Sequence, residues 1–368
     1  MSVYSTQLQK PHEEPPTMHT TRIILDETQP FPSFLENSWT MLESLSMDAV
    51  EFVPGQFGSL LASRRLMAGL QNLVVLNISN IPNFPAIVLS SCVQLQELVF
   101  RNVQIGHDAS LTWSLPGPHR LKALTCSRVL EQTYQELVSI VDVTHLLYFD
   151  CEIVDRTPDI IGYGPKGPQY VLDRCGRKLE RLVLRSEYSF QPLTKNHRAY
   201  LCDLSELVML RCLVFITSVK DVDCDWPLRP LIVAQVLATI SQQTRTLESL
   251  QYITEVCIDE APKRKPGVWM LLATPILKIY FQNNGWHALD RAVARVASGR
   301  MMDFYVGVRA WTGKEKPQMH APVHGRDDSC ALDILMKKWG EQTFVAVREQ
   351  HQIDFAAGAQ IVDDPWLN

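Results

Sequence analysis

A short apolar phrase recurs along this chain: one apolar residue, two others, a second apolar residue, one other, then a third. Leu73, Leu76 and Ile78 form one copy, followed by Leu95, Leu98 and Phe100, and then by Leu121, Leu124 and Cys126. An earlier copy is Leu42, Leu45 and Met47. Each of the four closes three positions later on another apolar residue, namely Val50, Ile81, Val103 and Val129. The starts lie 31, 22 and 26 residues apart, mostly within the roughly 20 to 29 residues of a leucine-rich repeat. Side chains alternate across an extended segment, so the second and third apolar positions point to one side. The first enters the same core from the preceding turn. A single copy cannot cover that apolar side alone, but a neighbour stacked beside it can, which predicts short parallel strands added laterally.

Further copies are less regular. Val143, Leu146 and Tyr148 fit the phrase, as do Leu179, Leu182 and Leu184, then Leu204, Leu207 and Met209. Leu247, Leu250 and Tyr252 fit again, with Ile276, Ile279 and Phe281 as a last copy. Between them, three-and-four spacing of apolar residues predicts covering helices over 84–92, 134–141 and 230–242. The Gly- and Pro-rich stretch 155–170 and the charged, Pro-containing stretch 258–268 read as inserts. After Gly285 the pattern predicts a helix over 288–297, a strand over 302–308, a helix containing Leu332, Leu335 and Met336, and a last strand over 343–347.

The fold expected is therefore α/β: an irregular leucine-rich-repeat solenoid, a horseshoe or arc, with a parallel sheet on the concave side and helices or loops on the convex side. Residues 1–30 read as a flexible lead-in, with Arg22 to Leu25 able to form an edge strand. Residues 31–285 form the solenoid, and 286–368 an irregular final repeat with a C-terminal cap, needed because the last turn would otherwise expose core and an unpaired edge.

Composition narrows the setting. With 368 residues, 46% of them hydrophobic and 20% charged, the chain can bury a sizeable core without disulfides or metals. A net charge of -5 provides no general attraction to nucleic acid or anionic membrane, and Lys263-Arg264-Lys265 reads as a polar connection. No apolar run is long enough to span a bilayer and no signal-peptide layout opens the chain, so the expected location is cytoplasmic or nuclear, not secreted. The nine cysteines are scattered, and Cys126 and Cys212 fall inside apolar patterns as small hydrophobes.

The run from Leu70-Gln71-Asn72-Leu73 through Ile81, with Asn83-Phe84-Pro85, Leu89-Ser90-Ser91-Cys92 and Leu95-Gln96-Glu97-Leu98, resembles the leucine-rich-repeat region of the F-box-like protein families of mushroom-forming, basidiomycete fungi. The resemblance is most specific over residues 39–130. It implies reception of a protein substrate for a cullin-RING ubiquitin ligase, which such proteins join through an N-terminal F-box bound to Skp1. The first 40 residues carry no three-helix F-box pattern, so direct Skp1 binding is not expected. The asparagine usual at the ninth position of the phrase is replaced by Ile81 and Val103, with Asn80 and Asn102 one residue early, so no regular asparagine ladder is expected.

Candidate chemistry is thin. Gly162, Gly164 and Gly167 lack the Gly-Lys-Ser/Thr ending of a phosphate loop. His320, His324 and Asp327 are separated by Pro322 and Gly325 and lack a zincin glutamate; Asp363-Asp364 reads as a solvated tail. No catalytic, cofactor-binding or metal-binding residue is assigned, no cofactor is expected, and the chain is read as a non-enzyme. The function expected is a non-catalytic protein-interaction scaffold for an unidentified protein partner. Its concave face would present Val75, Asn77, Glu97, Val99, Ala123, Thr125, Arg181 and Val183, with Trp39, Trp113 and Trp226 as looser candidates. A hydrolase with an unrecognised active site and a truncated relic without a recruiting domain are the alternatives.

Overall fold

The computed structural model describes residues 21–25, 42–49, 70–106, 120–152, 167–186, 202–219, 230–241, 244, 246–257, 281–282, 285–311 and 326–362. The chain forms an α/β protein made of parallel β-sheet and several helices, divided into two compact units, Met1–Phe149 and Asp150–Asn368. No helix among the described residues is long and apolar enough to cross a membrane.

In the first unit, β1 (Thr21–Leu25), β2 (Leu42–Asp48), β3 (Val75–Ser79), β5 (Glu97–Arg101) and β7 (Ala123–Ser127) lie side by side in that order, all parallel. Register is the informative feature. Leu45 pairs with Leu76, Leu76 with Leu98 and Leu98 with Leu124, while Met47, Ile78, Phe100 and Cys126 form the row above. All eight are at most 1% exposed, and burying each leucine contributes about 2 kcal/mol. The first phrase positions Leu73, Leu95 and Leu121 are fully buried, and the closing residues Ile81, Val103 and Val129 are buried too. Val50 lies outside the described residues. A small second sheet pairs β4 (Phe84–Pro85) with β6 (Ile105–Gly106). The helices α1 (Ala86–Ser91) and α2 (Glu131–Ile140) fall where the spacing places them, α1 starting directly after Pro85.

Each of β2, β3, β5 and β7 is followed by a residue in the left-handed region: Ala49, Asn80, Asn102 and Arg128, with φ of 51°, 54°, 53° and 54°. The turn lets the backbone ladder run one rung further, because Ala49 donates to the Ser79 carbonyl, Asn80 to Arg101 and Asn102 to Ser127. It also aligns the side chains. Asn80 Nδ2 donates to Asp48 Oδ1 at 2.9 Å and Asn102 Nδ2 to Asn80 Oδ1 at 3.0 Å. A short side-chain ladder therefore joins Asp48, Asn80 and Asn102 at the surface, one position earlier than the usual asparagine, and it is not regular, because Ala49 and Arg128 hold the equivalent positions of β2 and β7. Asparagine tolerates this conformation because its short polar side chain bonds locally.

The second unit places β9 (Arg181–Ser186), β10 (Cys212–Val219), β11 (Ser249–Cys257), β12 (Met302–Trp311) and β13 (Ile353–Val362) in sequence order, again all parallel. Strand β8 (Tyr148–Glu152) spans the division between the units. The helices are α3 (Gly167–Cys175), α4 (Pro230–Thr239), α5 (Trp286–Val296), α6 (Arg326–Thr343) and α7 (Val345–Arg348). The start of α3 takes the last residues of the insert read over 155–170.

Two copies of the phrase are shifted. The buried set on β8 is Leu146, Phe149 and Cys151, with Tyr148 on the other side; that leading to β10 is Leu210, Leu213 and Phe215, with Met209 45% exposed. The cause is the turn before each strand. Leu73 donates to the carbonyl of Leu70, Leu95 to Cys92, Leu146 to Val143 and Leu207 to Leu204, so apolar residues also recur every three positions ahead of the phrase and offer a false frame. The segment 343–347, read as a strand, is the end of α6 and most of α7. Ile276 and Ile279 lie outside the described residues, and the strand beside β11 is β12.

The core of the second unit is aromatic. Trp286 of α5, 2% exposed, meets Tyr252, Trp339 and Phe344 edge-on with ring centroids 5.4, 4.8 and 5.9 Å away. Phe344 also stacks near Phe304 and Phe355. Buried Asp290 of α5 accepts the backbone N–H groups of Ala346 and Val347 at 3.0 and 2.9 Å, supplying the first turn of α7 with a cap from another helix. Helix α6 lies on β13, the last strand in the order. Asp333 Oδ1 accepts the Ala359 N–H at 3.1 Å, and a Cβ on Gly340 would come within 2.6 Å of the Ala357 Cβ. A terminal strand presents unpaired N–H groups, and here a helix carboxylate takes one of them.

Two outcomes follow from these contacts. Asn80→Val forces a β-branched residue into the left-handed turn and breaks the ladder, and is expected to cost about 2 kcal/mol in denaturant unfolding; Asn80→Gly, which relieves the backbone, costs less. Asp333 is held below its ordinary value of 3.8, chiefly by the hydrogen bond from Lys337 and helped by the Ala359 N–H. Its contribution is thus full above that ordinary value and fades as pH falls through the lower folded value. Melting temperatures of Asp333→Ala and the parent chain should differ at pH 7 and draw together as the pH falls below 3.8.

Candidate functional site

The row opposite the buried leucines is the partly exposed side of the sheet in the first unit. Val75, Glu97 and Ala123 share one rung across β3, β5 and β7; Asn77, Val99 and Thr125 share the next; Ser79, Arg101 and Ser127 the third. Strand β2 adds Ser44 and Ser46 beside Val75 and Asn77. Val75, Asn77, Val99, Ala123 and Thr125 are partly exposed, whereas Glu97 and Arg101 are open to solvent. The patch has a half-covered centre that mixes small polar and apolar side chains, an acid at one end and a base at the other. Its alternation follows from the strand period, since the same five residues that bury Leu76 and Ile78 must turn Val75, Asn77 and Ser79 outward.

Asn77 sits at the centre of this patch, between Ser46 and Val99. Its Oδ1 is enclosed and finds no hydrogen-bond partner among the described residues.

In the second unit the corresponding row behaves differently. Arg181 is exposed at the start of β9, but Val183 is 2% exposed and its register partner Val214 4%. Ile216 and Ile253, paired on the next rung, are 5% and 2% exposed. Val183 is therefore unavailable to a partner, and these six expected residues of the first unit are not continued by an equally open row here. The signal was in the sequence: Leu182-Val183-Leu184 and Leu213-Val214-Phe215-Ile216 are unbroken apolar runs, as expected of strands buried on both faces, whereas Val75 to Ser79 alternates.

Beside this buried stretch lies an ion pair that sequence reasoning missed. Arg185 Nε and Nη2 donate to Asp150 Oδ1 and Oδ2 at 2.7 and 2.8 Å, with the Asp150 side chain 6% exposed and Arg185 35%. The forked geometry matches guanidinium to carboxylate and sets both side chains rigidly. The two residues are 35 apart in sequence, so no local spacing announces them.

Among the described residues, groups able to do chemistry do not converge. Burial pushes the thiols of Cys92, Cys175 and Cys202 up to about 12, which keeps them protonated and unreactive at neutral pH. Asp142, Thr144 and His145 meet, but in one turn: Asp142 Oδ1 accepts the Thr144 N–H, and the same imidazole Nδ1 faces both Thr144 Oγ1 at 3.1 Å and Asp142 at 3.6 Å. A proton relay needs the two ring nitrogens facing different partners. Among the described residues no cluster of His, Cys, Asp or Glu can hold a metal ion. His320, His324, Gly162, Gly164, Trp39, Trp113, Trp226, Lys263 and Asp363 lie outside the described residues.

Removing Arg185 leaves a buried carboxylate without its forked partner. Arg185→Met should cost about 2–3 kcal/mol in chemical denaturation, the lower end for a buried pair because the arginine is partly solvated. Paired with Asp150→Asn in a double-mutant cycle, much of that loss should return.

No protein-family model matches this chain, and no curated protein matches it in sequence.

Proposed function

We propose that this chain is a non-catalytic protein-interaction scaffold of the irregular leucine-rich-repeat solenoid class, with its partner seated on the open face of the first unit. The observation that carries this reading is the register. Leu45, Leu76, Leu98 and Leu124 form a continuous buried row, and it backs a partly exposed one made of Val75, Asn77, Glu97, Val99, Ala123 and Thr125. Side chains there stand about 4.8 Å apart across strands and about 6.7 Å apart along them. Such an array is rigid and wide, better suited to another protein's surface than to enclosing a small molecule.

Val75, Val99 and Ala123 supply half-covered apolar area among Asn77 and Thr125, with Glu97 and Arg101 open beside them, and such a mixture is what non-obligate protein interfaces present. The resemblance to F-box-like fungal proteins supports substrate reception for a ubiquitin ligase as the biological use, without direct Skp1 binding by this chain. Thiols buried and protonated suit the reducing cytoplasm or nucleus.

Val99→Arg combined with Thr125→Arg places two charges at the centre of the face without touching the buried rows. Wild-type chain, purified under reducing conditions and cross-linked in extract, should capture a reproducible protein that the folded double variant captures at least about tenfold less. A wild type that captures nothing reproducible, or a variant that retains every partner, ends this reading.

A further inference from the structure

Helix α6 lies on β13, the last strand in the order, and from Asp333 onward its two sides can be compared. Met336 is fully enclosed, and Gly340 closes on Ala357 and Phe355 of the strand. The opposite side is open, and it is not simply polar. Ile334 is 61% exposed and Leu335 39%, with Lys338, Glu341 and Gln342 exposed around them. A terminal element of a stacked fold ordinarily turns a polar face outward, so the two bare aliphatic side chains need a reason.

Helical geometry gathers these residues into one stripe. At 100° per residue, Ile334, Lys338 and Glu341 fall within about 60° of one another and extend about 10.5 Å along the axis, with Leu335 and Gln342 flanking them on one side. The charges on the helix are not all used internally. Lys337 meets Asp333 at 2.7 Å, whereas the side chains of Lys338 and Glu341 hold no ion pair among the described residues. Two opposite charges and an exposed isoleucine thus share a face that the rest of the chain does not engage.

That face is complementary to itself when reversed. About a two-fold axis midway between Lys338 and Glu341, an antiparallel copy sets Lys338 of each chain opposite Glu341 of the other, so the attraction is made twice. The same axis lays Ile334 over the far end of the facing helix, where Val345 is 51% exposed. A parallel pairing in register would set lysine against lysine instead. We propose that the outer face of α6 docks a second copy of this chain as an antiparallel helix pair. A contact of about three helical turns lies at the small end of interface sizes, so association in the micromolar range is expected.

Sedimentation equilibrium of the full wild-type chain under reducing conditions, from about 1 to about 300 µM, should show a monomer passing into a dimer. Lys338→Glu brings acid against acid on both sides of the axis and should weaken association at least about tenfold, and Glu341→Lys should do the same with two bases. Combined, the two reversals exchange the partners and should return the dissociation constant to within about threefold of wild type. Both positions are exposed, so each variant should keep the wild-type melting temperature of the monomer. Ile334→Ser, which alters no charge, should weaken the dimer as well. A wild-type chain that stays monomeric throughout, a single reversal that leaves the dimer intact, or a double reversal that fails to restore it overturns the proposal.

Discussion

A parallel strand of this chain can hide its inward row when the strand beside it presents an equivalent row at the same height. Leu76 is fully buried because Leu45 and Leu98 flank it in register, and Ile78 because Met47 and Phe100 do. Slipping any strand by one residue would exchange its buried row for Val75, Asn77 and Ser79 and expose leucines instead. That lateral dependence sets the direction of growth, the need for turns of matched geometry, and the identity of the face left open.

The two units meet the same requirement with different turns. In the first, a left-handed residue closes β2, β3, β5 and β7, side-chain bonds tie Asp48, Asn80 and Asn102 together, and the outward row stays partly accessible. In the second, strands β10, β11 and β12 continue to eight, nine and ten residues, and the outward positions Val183, Val214, Ile216 and Ile253 are apolar and buried. Only a sheet with one face free can offer a partner regularly spaced side chains, which is why the proposed binding surface belongs to the first unit. The terminal strand of the second unit receives its own solution, with α6 laid on β13 through the close approach at Gly340 and the carboxylate of Asp333.

Several errors of sequence reading share one physical origin. Apolar residues every third position mark the turn entering a strand as well as the strand itself, so Val143-Leu146 and Leu204-Leu207 mimic a start that lies three or six residues further on. The early placement of Asn80 and Asn102 was visible in the chain, but the bond between them depends on a left-handed φ that is a property of the folded turn. The short helix α7 looked like a strand because Val345 and Val347 are β-branched; Asp290, 55 residues before Val345 in the numbering, supplies the cap that makes it helical.

What the sequence by itself determined is the period: the phrase over residues 42–126 specified which side chains are buried, that the strands run parallel, and that Val75, Asn77, Val99 and Thr125 share the opposite face. Those properties depend on alternation within a strand and on the interval between strands, both local and countable. Only the tertiary structure decided which row remains open and where Asp150 finds Arg185. Each of these arises between segments tens of residues apart, where contact is set by register between strands and leaves no spacing in the chain to read.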